Sequence, residues 1–253
     1  MPYFKMIKFF IRRLCRCFDS RLIRAGLAYS VSACLVLTLF LASCAAASAA
    51  ETVDTDNDGY PDDQEIEHGY SPFNPKEIKI ADSDVDQDGL SDYWELKFKT
   101  DPFDPDTDKD GYLDGVEIDA AYDPISGSTA RLPRRVEIDL KKQKLTYFVA
   151  DQPWKKFPVS TGKASMPTPA GTFKIINKVA KAWSKAYGLW MPYWLGLNRG
   201  EFGIHELPVW PNGYREGEDH LGKAVSHGCI RLGVGAAEYL YERVEVGQAV
   251  IIK

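Results

Sequence analysis

Cys229 lies in the segment AVSHGCIRL and is the only cysteine after residue 44. A cysteine becomes a nucleophile when a nearby imidazole accepts its proton and backbone amides are free to hold an oxyanion. His227 lies two residues before the thiol, and Gly228 between them lets the backbone approach a substrate closely. The segment therefore predicts a thiol that attacks a carbonyl carbon.

Three histidines of this half of the chain are candidates for the base: His205, His220 and His227. Residues two apart on an extended strand share a face, but His227 need not reach the sulfur with good geometry. Folding can bring His205, in the segment FGIHEL, opposite the thiol. We predict His205 as the base and keep His220 as the alternative.

Two other interpretations of these residues stay open. A lone cysteine is often an inert core residue, although this one is flanked by histidine, glycine and arginine rather than by an apolar run. A zinc ion bound by Cys229, His205 and His227, with or without His220, is chemically possible. The segment lacks the C-x-x-C or H-E-x-x-H spacing that is typical of zinc sites.

A second kind of chemistry is indicated by three acidic segments, DTDNDGYPDDQE at 54–65, DVDQDGLSDYWE at 84–95 and DTDKDGYLDGVE at 106–117. Each matches D-x-D-x-D-G-x-x-D-x-x-E, with oxygen ligands at positions 1, 3, 5, 9 and 12, a backbone carbonyl at 7 and a glycine turn at 6, as a calcium loop requires. The predicted Ca²⁺ ligands are Asp54, Asp56, Asp58, Tyr60, Asp62 and Glu65; Asp84, Asp86, Asp88, Leu90, Asp92 and Glu95; and Asp106, Asp108, Asp110, Tyr112, Asp114 and Glu117.

The alternative for these segments is a disordered acidic linker, but such a linker has no use for Gly59, Gly89 and Gly111 at one loop position. The three copies resemble bacterial thrombospondin type-3-like repeats, which implies a compact, calcium-filled spacer. The spacing between the first two loops is longer than between the last two. We therefore expect the first repeat to be detached from the others.

The elements that must position the thiol are mostly strands. Segments 134–140, 144–150, 156–162 and 247–253 are rich in β-branched and aromatic residues and are separated by turn residues. Residues 124–133 have the composition of a linker. The pattern of Ala, Leu and Glu predicts one helix over 235–244. We expect a mainly β domain.

The segments SHGCIRL, GIH and VSTGKASMPTPAGTFKI resemble, in this order from the carboxyl end, the YkuD-type L,D-transpeptidase domain over residues 134–253. The resemblance implies a β-sandwich-like fold with the cysteine at the end of a cleft. It makes Cys229 the nucleophile and His205 the general base and acid. The surrounding motif would be Ser226, His227, Gly228 and Arg231, with His227 and Gly228 at the oxyanion and Arg231 ordering the loop or meeting a carboxylate.

The chain departs from the family pattern in two places. Glu206 follows the upstream histidine where glycine is frequent, and 24 residues separate His205 from Cys229. The extra segment, PVWPNGYREGEDH at 208–220, is predicted to be a lid over the cleft. Aromatic residues predicted to bind substrate are Trp190, Tyr193 and Trp194, with a role in the core as the alternative.

The resemblance also implies a reaction, which needs no cofactor. Cys229 would attack the carbonyl between the third residue of a peptidoglycan stem peptide and the following D-alanine, leaving a thioester. The acceptor would then decide the product. An amine of another stem peptide would give a 3→3 cross-link, a lysine of an envelope protein would anchor that protein, and water would make the enzyme an L,D-carboxypeptidase. The alternatives are a zinc amidase or peptidase and a non-catalytic, calcium-dependent wall-binding lipoprotein.

The amino-terminal segment is typical of an export signal. Five arginines between residues 12 and 24 precede an apolar run at 25–42. Leu41–Cys44 resembles a lipobox, which would lipidate Cys44 and anchor the protein to a membrane. Cleavage near Ala49 and an uncleaved anchor are the alternatives. We expect an exported protein of the bacterial periplasm or cell envelope.

Charge divides the chain into three parts. Residues 1–50 carry seven basic side chains and one acidic, 51–126 carry five basic and 24 acidic, and 127–253 carry 19 basic and 11 acidic. The acidic part suits cations and the last part suits an anionic wall polymer. No motif typical of nucleic-acid binding is present. The expected organisation is a signal at 1–50, calcium repeats at 51–126 and a catalytic domain at 134–253.

Overall fold

The computed structural model describes residues 52–127 and 129–253. Val53–Lys253 form one compact unit. The predicted export signal and Cys44 lie outside the described residues. None of the helices within the described ranges is long and apolar enough to span a membrane.

The carboxyl-terminal half is built from nine strands, which confirms the prediction of a mainly β domain. They are β1 (Arg134–Asp139), β2 (Lys144–Val149), β3 (Gln152–Ser160), β4 (Gly171–Lys174), β5 (Asn177–Ser184), β6 (Leu189–Leu197), β7 (Phe202–Glu206), β8 (Ile230–Leu232) and β9 (Ala249–Ile252). Their order in one sheet is β4-β9-β1-β2-β3-β8-β7-β6-β5. Most neighbours are antiparallel, but β1 pairs with β9, and β7 with β8, in parallel.

The strands form because apolar side chains recur with the period of two that a half-buried strand needs. In β2, Leu145, Tyr147 and Val149 are all fully buried. They share one core with Ile204 and Ile230 from the other half of the sheet. The two halves therefore close over a common interior, in agreement with the predicted sandwich-like fold.

One helix of the β domain packs into this interior. The structure places it at Ala236–Arg243, within one residue of the prediction at each end, and it follows Gly235 at a φ of 76°. Leu240 is fully buried in the core. This helix, named α4, packs against β6 and β7, the strands that carry part of the site.

Each acidic loop leads into a helix of seven residues: α1 (Asp62–His68), α2 (Asp92–Phe98) and α3 (Asp114–Ala120). The predicted turn glycines have φ near 96°, where a side chain would be strained. The helices end after two turns because the next residue, Gly69, Lys99 or Ala121, adopts the left-handed conformation.

The second and third repeats pack on the β domain. Leu90, Phe98 and Ile118 belong to the same core cluster as β1 and β2. The rings of Trp94 and Trp154 meet edge to face at 5.2 Å. The expectation of a separate spacer is therefore wrong, because apolar side chains of the repeats need a surface to cover them.

The first repeat is not detached from the second either. Ser71, after α1, donates a hydrogen bond to the buried carboxylate of Asp92 at the start of α2. The backbone amide of Tyr93 donates to the carbonyl of Ile80 at 3.0 Å. The longer spacing between the first two loops is occupied by the turn that makes these contacts.

Candidate active site

The thiol is held at the end of a rigid turn. The hydroxyl of Ser226 donates to the carbonyl of Cys229 at 2.6 Å and accepts from the amide of Gly228 at 3.2 Å. Gly228 has a φ of 109°, a conformation open to glycine but strained for other residues. The turn thus places Cys229 directly before β8.

Two segments far away in sequence fix this turn. The hydroxyl of Thr168 donates to the carbonyl of Gly228 at 2.9 Å and accepts from the amide of Gly162 at 2.8 Å. A Cβ on Gly162 would lie 2.2 Å from the carbonyl oxygen of Met166. The amide of Ser226 donates to the carbonyl of Thr161. The motifs STG and PTP therefore shape the nucleophile's turn, a role that their spacing alone did not predict.

The imidazole of His205 is buried and oriented. His205 lies on β7 in parallel register with Arg231 on β8, and only 3% of its surface is exposed. Its Nδ1 is 2.6 Å from the carbonyl oxygen of Glu206. A carbonyl only accepts, so Nδ1 carries the proton and Nε2 of the neutral ring is free to accept one. The backbone of Glu206 provides this carbonyl, as expected from the sequence.

Trp194 stacks on the His205 ring, with 5.9 Å between centroids and 26° between planes. Gly203 makes this possible, because a Cβ there would lie 2.9 Å from the Trp194 ring and 2.4 Å from the carbonyl of Leu195. Gly203 is the glycine of the segment GIH, but the sequence analysis assigned it no role in the site.

Burial sets the protonation state of both reactive groups. It lowers the pKa of His205 to about 4, against the opposing hydrogen bond to Glu206 and with the charge of Arg231 acting in the same direction. Burial raises the pKa of the Cys229 thiol, although the Gly203 backbone and Arg231 offset part of this effect. At neutral pH the site therefore holds a neutral thiol and a neutral imidazole, not an ion pair.

Both groups line one cleft of about 450 Å³. Its walls also include His227 and Arg231, two other residues predicted for the site. The aromatic side chains that line it are Trp183, Tyr187, Trp194 and Trp210. The ring of His227 packs against Tyr187 at 5.0 Å. The thiol therefore opens into a largely aromatic cleft.

The three aromatic residues predicted to bind substrate have different positions. Trp194 lines the cleft, and the ring of Trp190 contacts that of Trp183 with 4.8 Å between centroids. Tyr193 has a φ of 53° and donates its hydroxyl to Glu238 of α4 at 2.7 Å. Trp190 and Tyr193 are thus absent from the described lining of the cleft, and the prediction that they bind substrate stays a prediction. Trp183, Tyr187 and Trp210 were missed because exposed aromatic residues carry no spacing signal of their own.

The remaining alternatives for the histidines receive no geometric support. Within residues 52–127 and 129–253, groups of three or more ligand atoms close enough to hold a metal are confined to the acidic loops. The set of Cys229, His205 and His227 is not among them. His220 is absent from the described lining of the cleft, and its Nδ1 lies 3.8 Å from Glu216.

The segment 208–220 forms one wall of the cleft through Pro208 and Trp210. Two consecutive residues attach it to the strands that carry the reactive groups. Arg215 pairs with the buried Glu206, and Glu216 pairs with Arg231 at 3.0 Å. Side chains alternate along β7 and β8, so Glu206 and Arg231 lie on opposite faces of the sheet. The two ion pairs therefore hold the segment from both faces. The segment predicted to be a lid is thus held in place by ion pairs and forms a fixed wall of the cleft.

The acidic loops fit a divalent cation. The carboxylates at positions 1, 3 and 5 of each loop lie within 4.8 Å of one another. Both oxygens of Glu95 are buried without a partner, as is one oxygen each of Glu65 and Glu117. Burial and the neighbouring carboxylates raise the pKa of Glu95 to about 8 and of Glu65 and Glu117 to about 7. A bound cation would satisfy these oxygens and reverse the repulsion.

The aspartates at position 9 of the loops accept hydrogen bonds that the sequence analysis did not predict. Asp62 accepts two hydrogen bonds from Thr55, and Asp114 accepts two from Thr107, at 2.6 to 3.0 Å. Asp92 accepts from Ser71 and from the amide of Val85. Both oxygens of each carboxylate thus brace the loop. These carboxylates therefore close their loops, and the prediction that they also bind Ca²⁺ directly stays a prediction.

A thiol beside a buried neutral imidazole, in a cleft of a mainly β domain, is an arrangement suited to acyl transfer through cysteine. Residues 133–252 match the family model of the L,D-transpeptidase catalytic domain (YkuD). Residues 54–69 and 84–105 match that of the bacterial TSP3 repeat. The chain therefore carries a YkuD L,D-transpeptidase catalytic domain preceded by bacterial TSP3 repeats, as the resemblance predicted.

Curated relatives match over part of the chain. The Bacillus licheniformis protein named L,D-transpeptidase YkuD is 32% identical over 101 residues, which cover 40% of this chain and 54% of the relative. Bacillus subtilis YciB, also named an L,D-transpeptidase, is 33% identical over 89 residues, or 34% of this chain and 46% of the relative. The chain thus spans about half the length of these relatives.

Solved structures give matches of similar extent. An L,D-transpeptidase from Stackebrandtia nassauensis is 32% identical, with a TM-score of 0.40, and the match covers 49% of this chain and 57% of that one. An L,D-transpeptidase from Mycobacterium smegmatis is 25% identical, with a TM-score of 0.42, and the match covers 51% and 64%.

We expect alkylation of Cys229 by iodoacetamide to accelerate steadily as the pH rises from about 6 to 9. A thiol with a raised pKa loses about tenfold of its thiolate for each pH unit below that pKa. The measurement is the labelling rate of the peptide that contains Cys229, read by mass spectrometry. A rate that stays level between about pH 5 and 8 would indicate a thiolate–imidazolium pair and contradict this protonation state.

Glu206→Gln is expected to destabilise the protein by about 1–3 kcal/mol, because it leaves Arg215 without its counter-charge beside a buried amide. The insert should also become more susceptible to protease. Urea unfolding and limited proteolysis measure both effects. The matched control is Glu218→Gln, an exposed glutamate of the same segment. Equal behaviour of the two variants would show that the Glu206 pair does not hold the wall.

Proposed function

We propose that this protein is a peptidoglycan L,D-transpeptidase that forms a thioester between Cys229 and a stem peptide. One observation carries the proposal: the hydrogen bond from His205 Nδ1 to the carbonyl of Glu206, which leaves Nε2 as a proton acceptor in the cleft that holds the thiol. The family of the catalytic domain supplies the substrate class.

In the first step, Sγ of Cys229 attacks the carbonyl carbon that precedes the terminal D-alanine, and Nε2 of His205 takes the thiol proton as the bond forms. The negative charge collects on the carbonyl oxygen. The amide of Gly228 already donates to Ser226. We therefore place the oxyanion beside the amides of His227 and Cys229, which changes the role predicted for Gly228.

In the second step, the tetrahedral intermediate collapses and the C–N bond to D-alanine breaks. The imidazolium of His205 gives its proton to the leaving amine. Burial makes this imidazolium a strong acid, since the pKa of His205 is held near 4, and the adjacent charge of Arg231 acts in the same direction. Proton return is thus favoured, and a neutral imidazole and a thioester remain.

In the third step, an acceptor attacks the thioester carbonyl and loses a proton to Nε2 of His205. The C–S bond breaks, and the imidazolium returns the proton to Sγ of Cys229, which restores the thiol. An amine of a second stem peptide gives a 3→3 cross-link, and a lysine of an envelope protein gives an anchored protein. Water in its place makes the enzyme an L,D-carboxypeptidase. The excess of basic side chains in residues 127–253 favours attraction to an anionic wall polymer.

The second candidate is a non-catalytic, calcium-dependent wall-binding lipoprotein. The assembled cleft argues against it, because a binding module has no need of an oriented imidazole next to a thiol. For the repeats, we propose that each loop binds one Ca²⁺ through its aspartates at positions 1, 3 and 5 and its buried glutamate at position 12. The orphaned oxygens of those glutamates support this assignment.

We also propose the three-part organisation of a signal at 1–50, repeats at 51–126 and a catalytic domain at 134–253, with export to the cell envelope and lipidation of Cys44. If the lipid is the anchor, Cys44→Ser should move the protein from the membrane fraction to the soluble envelope fraction without lowering its activity on a soluble muropeptide. Fractionation that does not change would favour cleavage near Ala49 or an uncleaved signal.

Cys229→Ala should abolish release of D-alanine from a disaccharide tetrapeptide, because it removes the only thiol among the described residues. His205→Ala should lower the rate by about 10²–10⁴-fold, the usual contribution of a general base. His220→Ala, the matched histidine control, should change it less than about threefold. Products are read by mass spectrometry, and circular dichroism checks the fold.

Either of two results would overturn the assignment of the site. Residual turnover by the Cys229 variant would remove the nucleophile from the proposal. Equal losses in the two histidine variants would move the base to the insert.

A further inference from the structure

Asp119 connects the third repeat to the catalytic domain. It lies in the last turn of α3, two residues after Glu117 of the third loop. Its carboxylate accepts hydrogen bonds from Tyr239 at 2.7 Å, Trp154 at 3.2 Å and Arg243 at 3.1 Å. Three donors from β3 and α4 thus converge on one side chain of the repeats.

An aromatic contact lies beside this carboxylate. The ring of Trp154 meets Trp94 at 5.2 Å and Phe98 at 5.9 Å, both nearly edge to face. Trp94 and Phe98 belong to α2, so the second repeat docks on the same side chain as the third. We name the contacts of α2 and α3 with Trp154, Tyr239 and Arg243 the repeat seam.

The second loop also holds the start of α3. One oxygen of Asp88, the residue at position 5, accepts from the amide of Leu90 at 2.6 Å, and the other accepts from the amide of Gly115 at 2.7 Å. A Cβ on Gly115 would lie 2.8 Å from the carbonyl oxygen of Asp88. Asp88 of the second loop is therefore packed directly against Gly115, near the start of α3.

Cation binding in these two loops consequently acts on one helix. Asp88 holds the start of α3, and Glu117 in its middle is a ligand of the third loop. Asp119, in its last turn, binds the β domain, so a shift of α3 would be passed on to that domain. Without a cation, the crowded carboxylates repel and favour an open loop. Beyond the seam, α4 packs on β6 and β7, which carry Trp194 and His205.

We propose that calcium binding to the second and third loops stabilises the catalytic domain through the repeat seam, with Asp119 as the coupling residue. The proposal rests on the calcium binding proposed above. The first loop has no part in it, because no hydrogen bond, ion pair or ring contact joins the described residues 53–69 to residues 134–253.

The test is hydrogen exchange of the full chain with calcium or with EDTA, followed at α4 and β3, and paired with calorimetric titration by calcium. At a calcium concentration 100 times the Kd, linkage predicts protection of α4 up to about 100-fold higher than in EDTA for each bound ion, or up to about 10⁴-fold for the two loops together. Glu95→Gln and Glu117→Gln should lose most of this gain. Glu65→Gln, the same change in the first loop, should keep it.

Asp119→Asn isolates the coupling from the binding. The variant should still take up calcium in calorimetry, but protection of α4 should no longer respond to calcium. Tyr239→Phe removes one donor from the other side of the seam and should weaken the response in the same way, which covers the case in which the aspartate variant misfolds.

The outcomes separate this proposal from the one on which it rests. If the wild-type protein takes up no calcium in calorimetry, the calcium function itself fails. If calcium binds but protection of α4 is equal with calcium and with EDTA, or if both seam variants keep the full response, the repeats do not brace the catalytic domain.

Discussion

Removal of the His205 imidazole from water is the constraint on which the site depends. The ring is covered by Trp194, which fits only because Gly203 lacks a side chain. Burial lowers its pKa, and the hydrogen bond to the carbonyl of Glu206 fixes its tautomer. A ring so placed is unprotonated near neutral pH, so its Nε2 is free, and its conjugate acid returns a proton readily.

The rest of the fold brings distant segments to this ring. The parallel pairing of β7 with β8 brings Cys229, the residue before β8, into the cleft that His205 lines, although 24 residues separate them in sequence. Thr168 and Gly162 hold the nucleophile's turn from another part of the chain. The segment 208–220, held by its two ion pairs, closes one side of the cleft. Helix α4 packs against β6 and β7, and the repeats contact α4 through the repeat seam.

The sequence predicted what is encoded locally and missed what depends on tertiary packing. The strands, α4 and the loop glycines follow from periodicity and backbone geometry, and the pair of Cys229 and His205 follows from residue chemistry and family resemblance. The orientation of Tyr193 depends on an unusual φ, and the bracing role of Asp92 on a hydroxyl 21 residues away. The docking of the repeats depends on Trp154, whose burial no local pattern reveals.

The most direct test of the account is a ¹⁵N NMR titration of the His205 imidazole between about pH 5 and 8, assigned by comparison with His205→Ala. The account predicts a neutral ring over this whole range, with the proton on Nδ1 and an unprotonated Nε2. An imidazolium signal at pH 6 to 7 that is lost only at higher pH would mean that the site rests as an ion pair, and would contradict the mechanism derived from its burial.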